Sequence, residues 1–454
     1  MTTQVPTTSC KLGIAPGRFP SIRHPLQMLT SPLEFLTSLR DAGDLVKVRL
    51  GTEWAYFVRH PDLLRQVLLG GPQTFDKGGP FFDKAQTVAG NGILTCPGKD
   101  HARQRRMMQP LFSRERLVRY AAVMHEEAER VAASWRPGQQ LSVNKAMSAL
   151  TLAVTTRTLF STEAPAGIVA EAQDALIVIF AGLYRRMIVP LDLVHDLPTP
   201  DNRRFDQAVT RLPEIIDQII ERYRRAGIDH GDLLSTLLAA RDPETGEGLS
   251  DRELREQVMA LFTAGTETTA SALTSTFYLL DRHPDVERRL HAEADAVLHG
   301  RAARHEDLEA LDYTTRVFTE TLRLYPPGWI LTRRTNAAVD LGGHRVPAGA
   351  TILFSPYALH RDPEFFTDPE RFDPDRWLPD RAKAVPRFAM LPFSAGQRKC
   401  MGDTFAMNMA TIILATLAGR WRLRSGADTK VRSIAKMTLS VEATPMRVEA
   451  RAVG

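Results

Sequence analysis

The segment PFSAGQRKCMG, residues 392–402, sets Cys400 between two glycines, directly after Arg398 and Lys399 and directly ahead of a helical run, DTFAMNMATIILATLAG. A cysteine attacks or ligates through its thiolate, and nearby cations or the amides at a helix start favour that charged form. These surroundings predict a lowered thiol pKa. A lone cysteine is more often a small buried hydrophobe, but here Gly396 permits a backbone turn that a Cβ would forbid, and Gly402 lets the following helix lie close to something flat. A second group sits in LFTAGTETTASAL, residues 261–273, where the acid Glu267 adjoins the alcohol Thr268 in apolar surroundings. A carboxylate rarely sits there without a partner or a task, and proton transfer is the task this pair suits. A third group is VFTETLRLYPP, residues 317–327. Glu320 and Arg323 share a helix face there among Val317, Phe318, Leu322 and Leu324, so the ion pair should be buried and need a further partner. Arg371, in DPERF, is the expected third member.

A thiolate at position 400 can hold a soft or borderline metal. No second Cys or His stands near it, so a tetrahedral zinc site is poorly supplied. Haem iron takes only one such axial ligand, because the porphyrin provides four nitrogens, and it fits the cysteine better.

These groups need elements to carry them. Ser250 and Glu253 form a capping box, and helical periodicity then runs to Arg282, where His283-Pro284 stops it. The result is a rod about 48 Å long. Gly265, Thr266, Thr268 and Thr269 at its centre should distort it, the threonines by bonding back to preceding carbonyls. LVKVRLGTEWAYFV (45–58) and LGGHRVPAGATILF (341–354) read as strands, and residues 101–340 are dominated by helical periodicity. Residues 1–25 read as an irregular leader and 26–454 as a single domain, mainly α with minor β.

Hydrophobic residues make up 43% and charged residues 24% of the 454, an ordinary soluble globular profile that excludes disordered and membrane classes. The net charge of +5 is spread along the chain, and no nucleic-acid-reading motif is present. Three widely spaced cysteines, Cys10, Cys96 and Cys400, contain no C-x-x-C and fit a reducing compartment. The polar N-terminus offers neither a signal-peptide core nor a membrane anchor, so a soluble cytoplasmic protein is expected.

Taken together and in order, Phe393-x-x-Gly396-x-Arg398-x-Cys400-x-Gly402, Glu320-x-x-Arg323, Pro369-Glu370-Arg371-Phe372 and Ala264-Gly265-x-Glu267-Thr268 resemble the cytochrome P-450 monooxygenases. GKDHARQRRMMQPLF resembles the family's C helix and extends the likeness to the N-terminal half. The resemblance implies a triangular prism of about a dozen helices with small sheets. Haem b would lie between the long rod and the helix after Cys400. It implies Cys400 as the thiolate ligand whose electron density favours O–O cleavage. Phe393 would shield the sulfur, and Glu320, Arg323 and Arg371 would form a structural triad. Arg398, Arg105, His101 and Arg333 would meet the haem propionates, since an arginine fork suits a carboxylate. Many relatives have tryptophan at the position of His101. Gly265, beside Ala264 in the same catalytic stretch, would leave room for O2, while Thr268 and Glu267 would relay protons.

The same resemblance implies an apolar pocket of Phe81, Phe82, Val88, Phe180, Leu261, Ala264, Trp329 and Ile330, with few polar anchors. TFDKGGPF, LYRRMIVPL, LPTPDNRRF and PPGWILTRRT resemble the bacterial sesquiterpene-oxidising, pentalenene oxygenase-like branch. A terpene hydrocarbon is the expected substrate. Fatty acids, steroids and macrolides are alternatives, as are a peroxide-using or isomerising chemistry and a non-enzymatic haem sensor. No dinucleotide fingerprint or flavin domain accompanies the motifs, so electrons should come from a separate ferredoxin or flavodoxin with its NAD(P)H reductase. Arg103, Arg106 and Lys399 are expected to attract that acidic partner. The protein is expected to be a monomer.

Overall fold

A computed structural model describes residues 10–50, 53–160, 166–188, 195–426, 432–442 and 445–451. In its first third the chain forms β1 (Leu12–Ile14), α1 (Pro20–Thr30), β2 (Leu45–Leu50), β3 (Glu53–Val58), α2 (Pro61–Leu69), β4 (Phe75–Asp76), α3 (Pro80–Ala89) and α4 (Gly98–Met108). Long helices follow: α5 (Arg114–Ser134), then, after β5 (Gln140–Ser142), α6 (Val143–Phe160), α7 (Ala166–Ile188), α8 (Pro200–Ala226), α9 (Asp251–Arg282), α10 (Pro284–Leu298) and α11 (Asp312–Leu324). The remainder contains β6 (Leu331–Thr335), β7 (Val339–Leu341), β8 (His344–Val346), β9 (Thr351–Phe354), α12 (Asp403–Arg420), β10 (Trp421–Arg424), β11 (Ser433–Ala435), β12 (Leu439–Val441) and β13 (Pro445–Ala450). The expected mainly-α architecture with minor sheets is what the chain adopts.

The largest sheet has the order β1-β2-β3-β9-β6-β4, with β1 parallel to β2 and β3 parallel to β9. β2 and β3 pair as the antiparallel neighbours that their alternation predicts, Val48 facing Ala55. The leader is not irregular throughout. Leu12–Ile14 joins the sheet edge, and helix α1 begins at Pro20, whose fixed φ suits a first helical position. Residues 1–9 lie outside the described residues.

The helical core gathers around α9 and α12. The Ser250–Glu253 capping box forms, with the Ser250 amide donating to Glu253 Oε2 at 2.9 Å, and α9 ends at Arg282. It continues as α-helix through residues 264–269. Its threonines do bond back: Thr266 Oγ1 donates to Phe262 O at 3.1 Å and Thr268 Oγ1 to Ala264 O at 2.8 Å. Thr274, Ser275 and Thr276 do the same, which satisfies their hydroxyls in a buried helix. α9 packs along α6, and α12 packs on α5 and α10 with Met409–Ala418 buried. α7 is long and apolar enough over Gly167–Arg186 to cross a bilayer by composition, yet it packs across α8 and α3.

Replacing Ser250 with Ala removes the hydroxyl that accepts from the Glu253 amide, leaving the backbone arm of the cap, and should destabilise the fold by about 1 kcal/mol in urea unfolding, with Ser250→Thr nearly neutral.

Candidate active site

The cysteine loop is held by its own backbone and by α2. The Cys400 amide donates to Phe393 O at 3.0 Å, closing the loop. Gly396 has φ +70°, and a Cβ there would stand 1.9 Å from Leu68 O, so both conformation and space demand glycine. Gly402 differs. A Cβ would meet only Phe112, at an ordinary 3.6 Å, and its φ of −93° suits any residue. No protein atom demands glycine at 402; it faces a cavity.

Behind the loop, Glu320 and Arg323 of α11 are fully buried, 2.8 Å apart. Arg323 also donates to the carbonyls of His360, Pro369 and Arg371. The Arg371 side chain itself is exposed, which corrects the expected triad. Arg376 takes that place: it is buried, 3.4 Å from Glu320 Oε1, while Trp377 Nε1 donates to Glu320 Oε2 at 2.9 Å. The two arginines stand in a tandem repeat, D-P-E-R-F, D-P-D-R-W, residues 368–377, and packing separates them. His360 completes the brace. The Leu391 amide donates to its Nε2 at 2.8 Å, so Nδ1 carries the hydrogen toward Arg323 O at 3.1 Å. Burial, then the Arg323 charge, pushes the His360 pKa down to about 3, which keeps the ring in this neutral form. The ion pair on α11 thus reaches the segment before Phe393 through one imidazole.

A cavity of about 380 Å³ lies between α9 and the cysteine loop. Cys400, Phe393, Arg398, Gly402, His101 and Arg105 line it, as do Leu261, Ala264, Gly265 and Thr268. Of the other expected pocket residues, Phe82 packs under the Lys77 ammonium, and Val88 and Phe180 pack on the helical core. Trp329 and Ile330 belong to the sheet's core. None of these lines the cavity, and the Phe81 side chain lies outside the described residues. Thr155, Thr158, Leu233 and Phe318 form wall that periodicity could not single out, because they come from elements distant in sequence. Gly265 also answers to packing: a Cβ there would be 2.8 Å from Thr155 of α6.

The cations converge at one side. Arg398 binds Asp76 at 2.5 Å and donates to Cys96 O at 2.9 Å. Arg105 donates to Lys399 O at 2.8 Å, and Arg333, buried behind the cavity lining, to Thr332 O at 2.8 Å. Lys77, which sequence reading missed, lines the cavity and donates to Leu94 O. Burial, then Arg398 and Arg333, pushes the Lys77 pKa down to about 7. Burial and Arg398 likewise push His101 to about 3 and Arg333 to about 10. Among the groups acting on His101 and Arg333, Asp76 alone is a carboxylate. Lys77, Arg105, Arg333 and Arg398 therefore carry a surplus of positive charge, most of which two further carboxylates would offset.

Cys400 is open to the cavity, yet desolvation by the protein atoms crowded around its sulfur raises the thiol pKa, against expectation. It outweighs the Gly402 N–H and the Lys77 and Arg105 charges, which favour the thiolate, and Asp403 adds to the rise. The adjacent cations are engaged elsewhere, Arg398 by Asp76 and Lys399 by Asp403. Arg103 and Arg106 are paired too, with Glu253 and Glu244 and with Asp242 between them. The expected steering face is therefore a set of ion pairs. Glu267 is not part of the cavity wall; its carboxylate accepts from Thr438 Oγ1 at 2.9 Å, and burial raises its pKa.

Residues 15–449 match the family described as Cytochrome P450. The chain is a cytochrome P450. Cyclooctat-9-en-7-ol 5-monooxygenase of Streptomyces melanosporofaciens is 51% identical over 91% of this P450 and 89% of its own length. Cyclooctatin synthase of the same organism is 48% identical over 96% and 94%. Pentalenene oxygenase of Streptomyces avermitilis is 45% identical over 94% of each chain. The crystal structure of the cytochrome P450DA heme domain is similar at a TM-score of 0.88 and 25% identity, covering 98% of this P450 and 99% of that chain. P450 monooxygenases bind haem b and use O2 as co-substrate, and the site fits that group: a cavity-facing thiol, a glycine no protein neighbour requires, and surplus cations for two propionates.

Two measurements test this geometry. Arg376→Met should lower stability by about 2 kcal/mol and loosen haem retention, whereas Arg371→Ala should leave both unchanged. Because Glu267 folds with a raised pKa, it contributes stability below its unfolded value of 4.5 that is lost as pH rises through its folded value. Melting curves should therefore show Glu267→Gln gaining on the parent protein with rising pH across that range.

Proposed function

We propose that this P450 oxygenates a terpene, with Cys400 as the axial thiolate. The observation that carries the reading is a single cavity bearing Cys400 on one side and Thr268 on the other, with mainly apolar wall between. Thiolate-bound haem supplies reductive activation of O2, one atom entering a C–H or C=C bond and the other leaving as water. The chain's own part is to hold, orient and protonate. Gly402 N–H steadies the charged sulfur. Arg398, Arg105, His101, Arg333 and Lys77 receive the propionates, and Glu320, Arg323, Arg376 and His360 brace the loop.

On the opposite wall, Thr268 donates its own hydrogen to Ala264 O. Toward the cavity it presents lone pairs, so it can accept and pass on a proton but does not store one. Glu267, kept protonated to higher pH by burial, is the store. Apolar walls with few anchors suit a hydrocarbon held by shape. The relatives named for cyclooctat-9-en-7-ol and pentalenene support a cyclic terpene. Electrons come from a separate ferredoxin or flavodoxin with its reductase, and the protein works as a soluble cytoplasmic monomer.

Reduced protein under carbon monoxide should show the red-shifted Soret band of thiolate ligation, lost in Cys400→Ser. Titration with pentalenene and with cyclooctat-9-en-7-ol should shift the ferric spin state for at least one of them. An unshifted spectrum with both, beside a shift with fatty acids or steroids, would remove the terpene assignment.

A further inference from the structure

The hairpin β11–β12 lies apart from the large sheet, yet its tip is tied down from three directions. Trp329 Nε1 donates to Lys436 O at 2.9 Å, and the Leu439 amide to Pro327 O at 3.0 Å. Tyr184 of α7 donates to Ala435 O at 3.1 Å. The third direction is α9, where Thr438 Oγ1 stands 2.9 Å from Glu267 Oε1 and 3.1 Å from Ser271 Oγ. The tip is thus placed by bonds that do not involve Glu267, and it delivers one hydroxyl to that carboxyl group.

We propose that Thr438 is the positioning residue of Glu267, an amphiprotic partner that lets this acid gain and lose its proton while turned away from the cavity. This rests on the reading of Glu267 as the proton store. A hydroxyl suits both charge states. Toward the carboxylate, Thr438 donates and accepts from Ser271; toward the carboxylic acid, it accepts and donates to Ser271. The proton stays hydrogen-bonded in either state, which a buried carboxyl group otherwise lacks at a cost. No bond to carbon forms or breaks: one proton enters from solvent and one leaves toward the cavity. Lys436 at the same tip is exposed, and its ammonium is the charged group acting on Glu267. It provides a polar path outward from the acid.

The test compares Thr438→Val, which keeps shape without the hydroxyl, with Thr438→Ser, which keeps the hydroxyl, in the haem-loaded protein. Thr438→Ala serves if the valine protein does not fold. The first readout is the infrared carbonyl band of protonated Glu267, identified by its loss in Glu267→Gln and followed against pH. Its midpoint should move up in the valine or alanine protein, because the carboxylate loses its donor, and return in the serine protein. An unmoved midpoint, or a serine protein that behaves like the valine one, overturns the proposal. The second readout is peroxide released per NAD(P)H consumed, which should rise on the order of tenfold in valine and not in serine. If Glu267→Gln leaves peroxide release unchanged, Glu267 is not the store, while the infrared midpoint still decides whether Thr438 positions it.

Discussion

The whole arrangement depends on keeping an anionic sulfur where desolvation by its surroundings opposes it. Cys400 sits in a loop whose surroundings raise its pKa, and the cations adjacent in sequence are drawn off by Asp76 and Asp403. The charged form needs an iron to bond to, so loop and cofactor are mutually dependent. The surrounding bonds then acquire a purpose: Gly396 seats the loop on α2, and the Glu320–Arg323–His360 chain fixes the strand of peptide leading into it.

A similar logic governs the buried cations. Lys77, Arg105, Arg333 and Arg398 repel one another, and burial and mutual repulsion push Lys77 and Arg333 toward neutrality. A protein without a ligand has no reason to keep such a group together. Two propionates supply the missing charge, so the cluster stores affinity for a dianion at the expense of the empty fold's stability. The opposite wall is built differently. There the hydroxyls of α9 satisfy themselves on helix carbonyls, leaving the cavity face of the long helix nearly free of strong donors. Polar machinery sits at one side of the cavity and behind the wall, and an apolar guest meets little that demands a hydrogen bond.

Much of this was legible in the chain. The capping box of α9, the two strands around residues 45–58, the cysteine loop and the Glu320–Arg323 pair each rest on local rules of capping, alternation, turn conformation and i, i+3 spacing. The family resemblance joined them into one site. What failed, failed for shared reasons. Arg371 and Arg376 occupy similar local contexts in a tandem repeat, so choosing between them needed three-dimensional contacts. Phe180, Trp329 and Ile330 look like pocket residues because they are apolar, a property that core positions share. The thiol pKa was misread because adjacency in sequence is not proximity of charge.

By itself the sequence determined the long helix with its cap and stop, the paired strands around residues 45–58 and the kinds of chemistry available: a cysteine sulfur, an acid beside an alcohol, a buried ion pair. These follow from interactions within a few residues, which the order of amino acids states directly. The tertiary structure alone decided which cations share a cavity, which arginine faces Glu320, and that Glu267 turns to Thr438, 171 residues away. Those outcomes are set by long-range packing and by the burial it imposes, and burial controls charge more strongly than any neighbour along the chain.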